Sequence, residues 1–510
     1  MPQFQPLKAS THPNEKDTSS HRISARAVRE ALNDAEQKLA WCTRVVGALS
    51  GYKSDEATGK DVVEFQQRLY RIIADLETLY RRIKREEKRL IGAKARYTPV
   101  WFAKRMAHLS AYSKKLRDGL ILARAVGDGF VWFFYERDPQ LIDEHLKLQP
   151  QLLLPPDLGA AGERILLESL RGVDGKFMLY HGITSLLRIG DFSFIDMTSL
   201  RVTCLAELKT SRIDPQRINL SLSIISGDKD QIPKFPMREP NEPRDPAPPL
   251  SAPMQARFER QRKVMQESIV AAKKVRDGLT ISSDLGFHYR ELEDVVRRSH
   301  ARAFEYVKAG DGLIIGAWRI PGSRSYGAPS PKRQIDRMPE LASDMPAWAT
   351  KILDAGGTWN SIAFGGLGGD ESLKARSTGL PFFAWPVDPQ VLADIAFERV
   401  VVITLFNAGH LIKRLHANGY EVGLDEKGRL KRATKQVDNR VIELENYSYF
   451  MSLVPWALMT EDAVMSIIEQ TIDATNSVPL DKHPVKVEFR PVIRRSSARD
   501  DRSTRKRAKA

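Results

Sequence analysis

The stretch Gly190-Asp191-Phe192-Ser193-Phe194-Ile195-Asp196, followed one turn later by Leu205-Ala206-Glu207-Leu208-Lys209, decides how this chain is read. Apolar side chains recur at every second position, the pattern of half-buried strands. The spacing predicts strands over 177–181, 187–196 and 202–210, with a helix before them that opens on Gly162-Glu163-Arg164-Ile165-Leu166-Leu167. Met197 to Leu200 is a short connection. A turn centred on Ser199 sets Asp191 directly opposite Glu207. Lys209 then shares their sheet face, because strand side chains alternate sides.

Facing residues in a hairpin hold their Cβ atoms about 4.5–5.5 Å apart. Two carboxylates so placed repel each other, and a hairpin built for stability alone would avoid the pair. A hard divalent cation removes the penalty. Mg2+ takes oxygen ligands and keeps several waters, so one or two carboxylates suffice; Mn2+ is an alternative. The Lys209 ammonium can orient or deprotonate an attacking water, or steady a pentavalent phosphate. A third carboxylate comes from the helix. Glu163 shares a face with Leu166, Leu167 and Leu170, which are expected to pack on the sheet, whereas Glu168 groups with Arg164 and Arg171 toward solvent. Asp196 rivals Asp191 but falls on the strand face away from Glu207. The bland alternative is an ordinary hairpin in which Lys209 forms a salt bridge with a carboxylate.

A helix carrying Gly-Glu, a hairpin carrying Gly-Asp, and then apolar-Glu-x-Lys together resemble the PD-(D/E)xK nuclease superfamily, the restriction-endonuclease-like fold. The resemblance covers residues 160–215. It extends to 320 if a helix over 287–308 and a strand over 312–318 are the second core helix and fourth core strand. It implies that Asp191, Glu207 and Glu163 bind Mg2+, that Lys209 assists the attacking water, and that the substrate is a nucleic acid, DNA above RNA. A role in defence against foreign DNA, or in repair, is implied only by the company such folds keep. Glu-x-Lys alone is weak, since Glu86-Glu87-Lys88 repeats it within a helical stretch. One departure is plain: a Pro-rich excursion and an extra helix separate the third strand from the proposed fourth.

The remaining chain supplies context. Lys and Arg number 79 against 64 Asp and Glu, a net charge of +15, which permits a polyanionic partner without requiring one. Val62, Phe65, Leu69, Ile72, Leu76, Leu79 and Ile83 step by three and four, which predicts a helical hairpin or a short coiled coil, with self-association or a partner protein through 21–90 left open. The segment 81–116 is rich in Lys and Arg, with Tyr97, Trp101, Phe102 and Tyr112 interleaved. Cations among aromatic platforms suit a phosphate backbone with exposed bases, which nominates Arg96, Lys104, Arg105, Lys114 and Lys115 as nucleic-acid contacts. A solvated basic face over core aromatics would read the same way.

The expected fold is α+β and multidomain. Residues 1–20 are disordered; 21–150 form a helical, partly basic domain; 151–320 form a nuclease-like domain around a central mixed sheet, with a Pro-rich insertion at 225–254; 321–480 form an α/β domain of unassigned role; 481–510 form a basic disordered tail. Eight prolines fall in the 21 residues from Pro233 to Pro253. From Arg494 to Ala510, eight basic residues face two acidic ones. A helix capped by Thr460-Glu461-Asp462 and a hairpin joining 420–422 to 429–431 are expected in the C-terminal third. The glycine-rich run 365–370 lacks a following Lys-Ser/Thr and reads as a flexible loop rather than a phosphate cradle. No stretch of 18 apolar residues suggests a membrane span. Two distant thiols, Cys42 and Cys204, make no disulfide framework or Cys-based zinc site, so a reducing, cytoplasmic setting is expected. The opposing functional expectation is a non-enzymatic nucleic-acid-binding or scaffold protein with an inert nuclease-like domain.

Overall fold

The computed structural model describes residues 23–50, 59–149, 152–154, 158–169, 172–212, 218–227, 229–233, 252–273, 279–302, 304–320, 362–367, 380–424, 430–444, 447–479 and 487–492. Expectations for 1–20, for most of the Pro-rich insertion and for 493–510 lie outside these residues. The chain is α+β, with an N-terminal helical region and antiparallel sheets. It divides into one unit of residues 1–42 and 58–275 and another of 43–57 and 276–510. The expected boundaries at 150 and 320 are therefore not where the contacts divide. The helical residues 59–135 and the carboxylate-bearing strands share one unit.

The long helix α1 (Ala25–Leu49) belongs to the first unit as far as Cys42, and the long helices α2 (Gly59–Gly92) and α3 (Pro99–Tyr135) lie wholly within that unit. All seven stripe residues of α2 are buried. The stripe is satisfied within the chain, because α2 and α3 fold back antiparallel. Phe65 stacks on Phe130 with centroids 4.0 Å apart near one end, and Glu86 bonds Arg105 near the other. Pro99 and the Thr98 side chain, which accepts from Trp101 N, start α3, since the first-turn N–H groups lack intrahelical partners.

After α4 (Pro139–Leu146) and α5 (Leu158–Ser169) come β1 (Gly172–Val173), β2 (Lys176–Tyr180), β3 (Phe192–Asp196), β4 (Arg201–Arg212) and β5 (Ile218–Ser226). They form one sheet in sequential order, antiparallel throughout. Among the described residues this sheet has no parallel pair, so it is not the mixed sheet expected. The connections are too short for the crossover that a parallel pair needs. The helix α6 (Ala252–Lys273) packs on β4, β5 and α4. Where β1 no longer pairs with β2, a side chain takes over. Gln66 on α2 donates to Met178 O and accepts from Tyr180 N, pairing with the strand edge as another strand would.

The second unit is described separately. Strands Phe304–Lys308, Leu313–Arg319, Val400–Asn407 and Ile362–Leu367 form a four-stranded antiparallel sheet in that order. The strand expected at 312–318 therefore exists but belongs to this sheet, not to the one carrying Glu207. The helix expected over 287–308 stops early, at Tyr289–Arg298. Phe304-Glu305-Tyr306-Val307 alternates with period two and pairs as a strand, and a further strand, Leu279–Asp284, precedes the helix. Gly365 to Leu367 also lie in a strand, where a Cβ on Gly365 would stand 2.8 Å from Pro455 O. The hairpin Tyr420–Leu424 with Leu430–Val437 is present. So is the helix Glu461–Asn476, capped by Thr460 accepting from Ala463 N at 3.2 Å. Val487–Val492, within the expected disordered tail, pairs parallel with Leu279–Asp284.

Candidate active site

The register Phe192↔Ala206, Ser193↔Leu205, Phe194↔Cys204 places Asp191 opposite Glu207. A bulge between Phe194 and Ile195 shifts the pairing by one toward the turn, so the turn itself is not centred where the sequence placed it. Strand β3 begins only at Phe192, because residues 187–191 leave the ladder. Asp191 N still donates to Ala206 O at 2.8 Å. Its carboxylate then turns to the next strand, with Oδ2 accepting from Leu208 N at 2.7 Å. The side chain thus stands in for the backbone carbonyl that a continuing strand would have offered. Gly190 enters this bend at φ +70°, and a Cβ there would meet Ala206 O at 2.8 Å.

Glu163 arrives through close packing. A Cβ on Gly162 would lie 1.9 Å from Thr210 Oγ1, so glycine lets α5 press onto β4 and brings the next residue to the strand ends. The Tyr180 hydroxyl donates to Glu163 Oε2. Lys209 Nζ donates to Glu207 Oε1 and to Gln261 Oε1 of α6, each at 2.7 Å. Glu163, Asp191 and Glu207 line a cavity of about 140 Å³, together with Arg124, Tyr180, His181, Arg188 and Gln261. Lys209 bonds Glu207 but is not part of the lining.

Charge is crowded here. Burial pushes the Glu163 carboxyl up to about 7, even though the Tyr180 hydroxyl favours its charged form. Burial, then the charges of Glu207 and Glu163, push Asp191 well above the usual carboxylate range. Burial and the neighbouring Glu163 keep Tyr180 neutral and able to donate. Three hard oxygen donors crowded in this way fit a magnesium-like cation in their chemistry. Their side chains are not drawn together, however. Among the described residues, no group of three or more His, Cys, Asp and Glu side chains is gathered as a metal site. Tyr180 occupies one oxygen of Glu163, the Leu208 N–H one of Asp191, and Lys209 one of Glu207.

Several residues at this site escaped the sequence reading. His181 was expected on a strand; it begins a 3-10 turn, His181–Ile183. Its Nδ1 lies 3.0 Å from Gly190 O, a carbonyl that can only accept, so Nδ1 carries the proton. Its Nε2 faces Ser193 Oγ, which in turn meets the Tyr135 hydroxyl. Burial brings His181 down to about 4, so the ring stays neutral. His145 Nδ1 accepts from both Arg188 N and Ile189 N at 2.9 Å. From α3, Arg124 donates to Gly182 O and Thr184 O, while Asp128 accepts from Ser185 N at 2.7 Å and Ser185 Oγ at 2.6 Å. These residues fasten the segment 181–190, which leads into Asp191. No motif spacing marks Arg124, Asp128 and His145, since they come from helices 40 or more positions away in the chain.

The nominated nucleic-acid contacts separate. Arg96, Lys104 and Lys114 are exposed and Lys115 is half-buried. Arg105 is buried, donating to Glu86 and to Ile23 O. It shares its helical face with Leu109 and Leu116, so it serves the packing of α3 on α2 and offers nothing to a phosphate. Tyr97 stacks on Trp101 at 4.6 Å, with Lys94 5.6 Å from the Phe102 ring centroid.

Compared with protein-family models, curated proteins and solved structures, the chain matches none.

Proposed function

We propose that this chain is a metal-dependent nuclease of the PD-(D/E)xK kind, acting on the phosphodiester bonds of DNA in a reducing, cytoplasmic setting. The observation that carries the reading is that Glu163, Asp191 and Glu207 line one cavity, with Lys209 bonded to Glu207. A bound Mg2+ or Mn2+ would supply Lewis-acid polarisation of the phosphate and a more acidic water. Asp191, Glu207 and Glu163 would hold it. Tyr180 orients Glu163 by its hydrogen bond, and Gln261 and Glu207 hold the Lys209 ammonium beside the carboxylates. From there Lys209 can steady negative charge on the phosphate. Arg96, Lys104 and Lys114 offer exposed cations for backbone contact. The test is incubation of plasmid with Mg2+ or with EDTA. Cleavage is expected with metal and not with EDTA, and is expected to vanish in Glu207→Ala and to fall steeply in Lys209→Ala.

One observation favours a second reading, an inert domain in a nucleic-acid-binding or scaffold protein. The Lys209–Glu207 ion pair compensates one carboxylate without any cation. On that reading both variants bind nucleic acid as the parent does, and nothing is cut.

A further inference from the structure

The carboxylates line a cavity bounded by two elements. The first wall is the segment 181–190, tied down by Arg124 and Asp128 of α3, by His145 of α4 and by His181. The second is α6. Its Gln261 bonds Lys209, and its buried Met265 brings Sδ to 3.2 Å from the place of a Cβ on Gly190. Glu163 and Glu207 are each only 5% exposed. The cavity between the walls measures about 140 Å³, a volume that holds about one small ring. A duplex is far broader, its major groove alone being about 12 Å wide. Paired DNA cannot bring a phosphate down to these carboxylates without leaving the helix, whereas one unpaired chain can bend in.

The sheet also offers such a chain a path outward. Residues directly opposite each other share a face. Glu207 pairs with Ser223, Lys209 with Ser221, and Ser211 with Asn219. The alternate positions are apolar on β5: Leu220, Leu222 and Ile224. The carboxylate face therefore continues along β4 and β5 as a strip of hydroxyls and one amide, about 13 Å from Ser223 to Asn219. Ser221 is exposed and Asn219 and Ser223 are half-buried. Hydroxyl and amide side chains are common partners of phosphate and sugar oxygens, and they read no sequence.

We propose that the substrate is single-stranded DNA, held along Ser223, Ser221 and Asn219 and bent into the cavity at Glu207. This rests on the nuclease reading above and narrows its substrate. The test measures Mg2+-dependent cutting, by the full chain, of one labelled sequence as single strand, as blunt duplex and as duplex with an unpaired flap, with single-stranded RNA as a fourth arm. Each base-pair step that must open first lowers the rate about tenfold. Single strand and flap are thus expected to be cut about 100-fold faster than the blunt duplex, taking two steps as the minimum. In Ser221→Glu, KM for the single strand is expected to rise severalfold. Equal cutting of RNA supports the single-strand assignment and shows that the sugar is not read. A blunt duplex cut as fast as the single strand overturns the proposal and leaves the nuclease reading standing. An unchanged KM in Ser221→Glu overturns the strip. No cutting in any arm overturns both readings together.

Discussion

Lys209 Nζ lies 2.7 Å from Glu207 Oε1, two residues back on the same strand, with Gln261 Oε1 at the same distance on its other side. The ammonium therefore competes with any cation for Glu207 and also stands ready to act beside it. Lys209→Ala separates these roles. Affinity for Mg2+ is expected to rise, because a competing positive charge is gone. Turnover is expected to fall by about 10²–10⁴, the usual range for a positioned acid–base or charge-stabilising group. Cleavage rates measured across a Mg2+ titration report both. A fall in affinity with turnover unchanged would contradict the assignment.

The contact between Gly162 and Thr210 should be visible in stability. A methyl at 162 meets Thr210 Oγ1 at 1.9 Å and its Cβ at 3.0 Å, so α5 must lift. Overpacking of this kind costs about 1–3 kcal/mol. Gly162→Ala is expected to lose that much in urea unfolding, and Gly162→Ala with Thr210→Gly to recover part of it. Equal losses in the single and double variants would show that the helix does not rest on Thr210.

The raised Glu163 predicts an unusual pH dependence in the metal-free protein. Its carboxyl moves from an ordinary 4.5 to about 7 on folding. Between these values the folded state holds more protons than the unfolded state, so stability falls as pH rises. The loss is fully developed above 7 and amounts to about 3 kcal/mol. Unfolding in EDTA, followed across this window, is expected to show the decline in the parent and not in Glu163→Gln. Stability that rises across the window by a margin absent from Glu163→Gln would place the carboxyl elsewhere.

The basic helical region should divide into two kinds of residue. Arg105→Ala leaves Glu86 without its partner in a nearly closed site and is expected to cost about 3–5 kcal/mol. Arg96→Ala, Lys104→Ala and Lys114→Ala leave stability unchanged, and each true phosphate contact among them is expected to lower the salt slope of DNA binding by about one. Thermal unfolding and binding at several salt concentrations separate the two groups.

The site was legible in the sequence where local rules governed it. Period-two alternation put Asp191 and Glu207 on one face, and they do face each other, although through a bulge at Phe194/Ile195 rather than a turn centred on Ser199. The helical face of Glu163 pointed to the sheet because Leu166 and Leu167 do bury there. The stripe on α2 was read correctly, since it depends on spacing alone. What could not be read was set by distant parts of the chain. Gln261, Tyr180, Arg124 and His145 reach the site from separate elements. Arg105 looks like any surface cation until α2 is packed against it. The error over 312–318 has the same origin: a strand's alternation marks it as a strand but does not say which sheet it joins. The helix over 287–308 was overextended because the switch from helical to alternating spacing at Phe304 was passed over.

The most direct test of the central claim is calorimetric titration of Mg2+ into the parent protein, into Asp191→Asn and into Glu207→Gln. The account predicts a saturable site in the parent that is lost or greatly weakened in both variants, each of which remains folded. A parent that takes up no Mg2+, or variants that bind it as the parent does, would mean that these carboxylates do not form a metal centre.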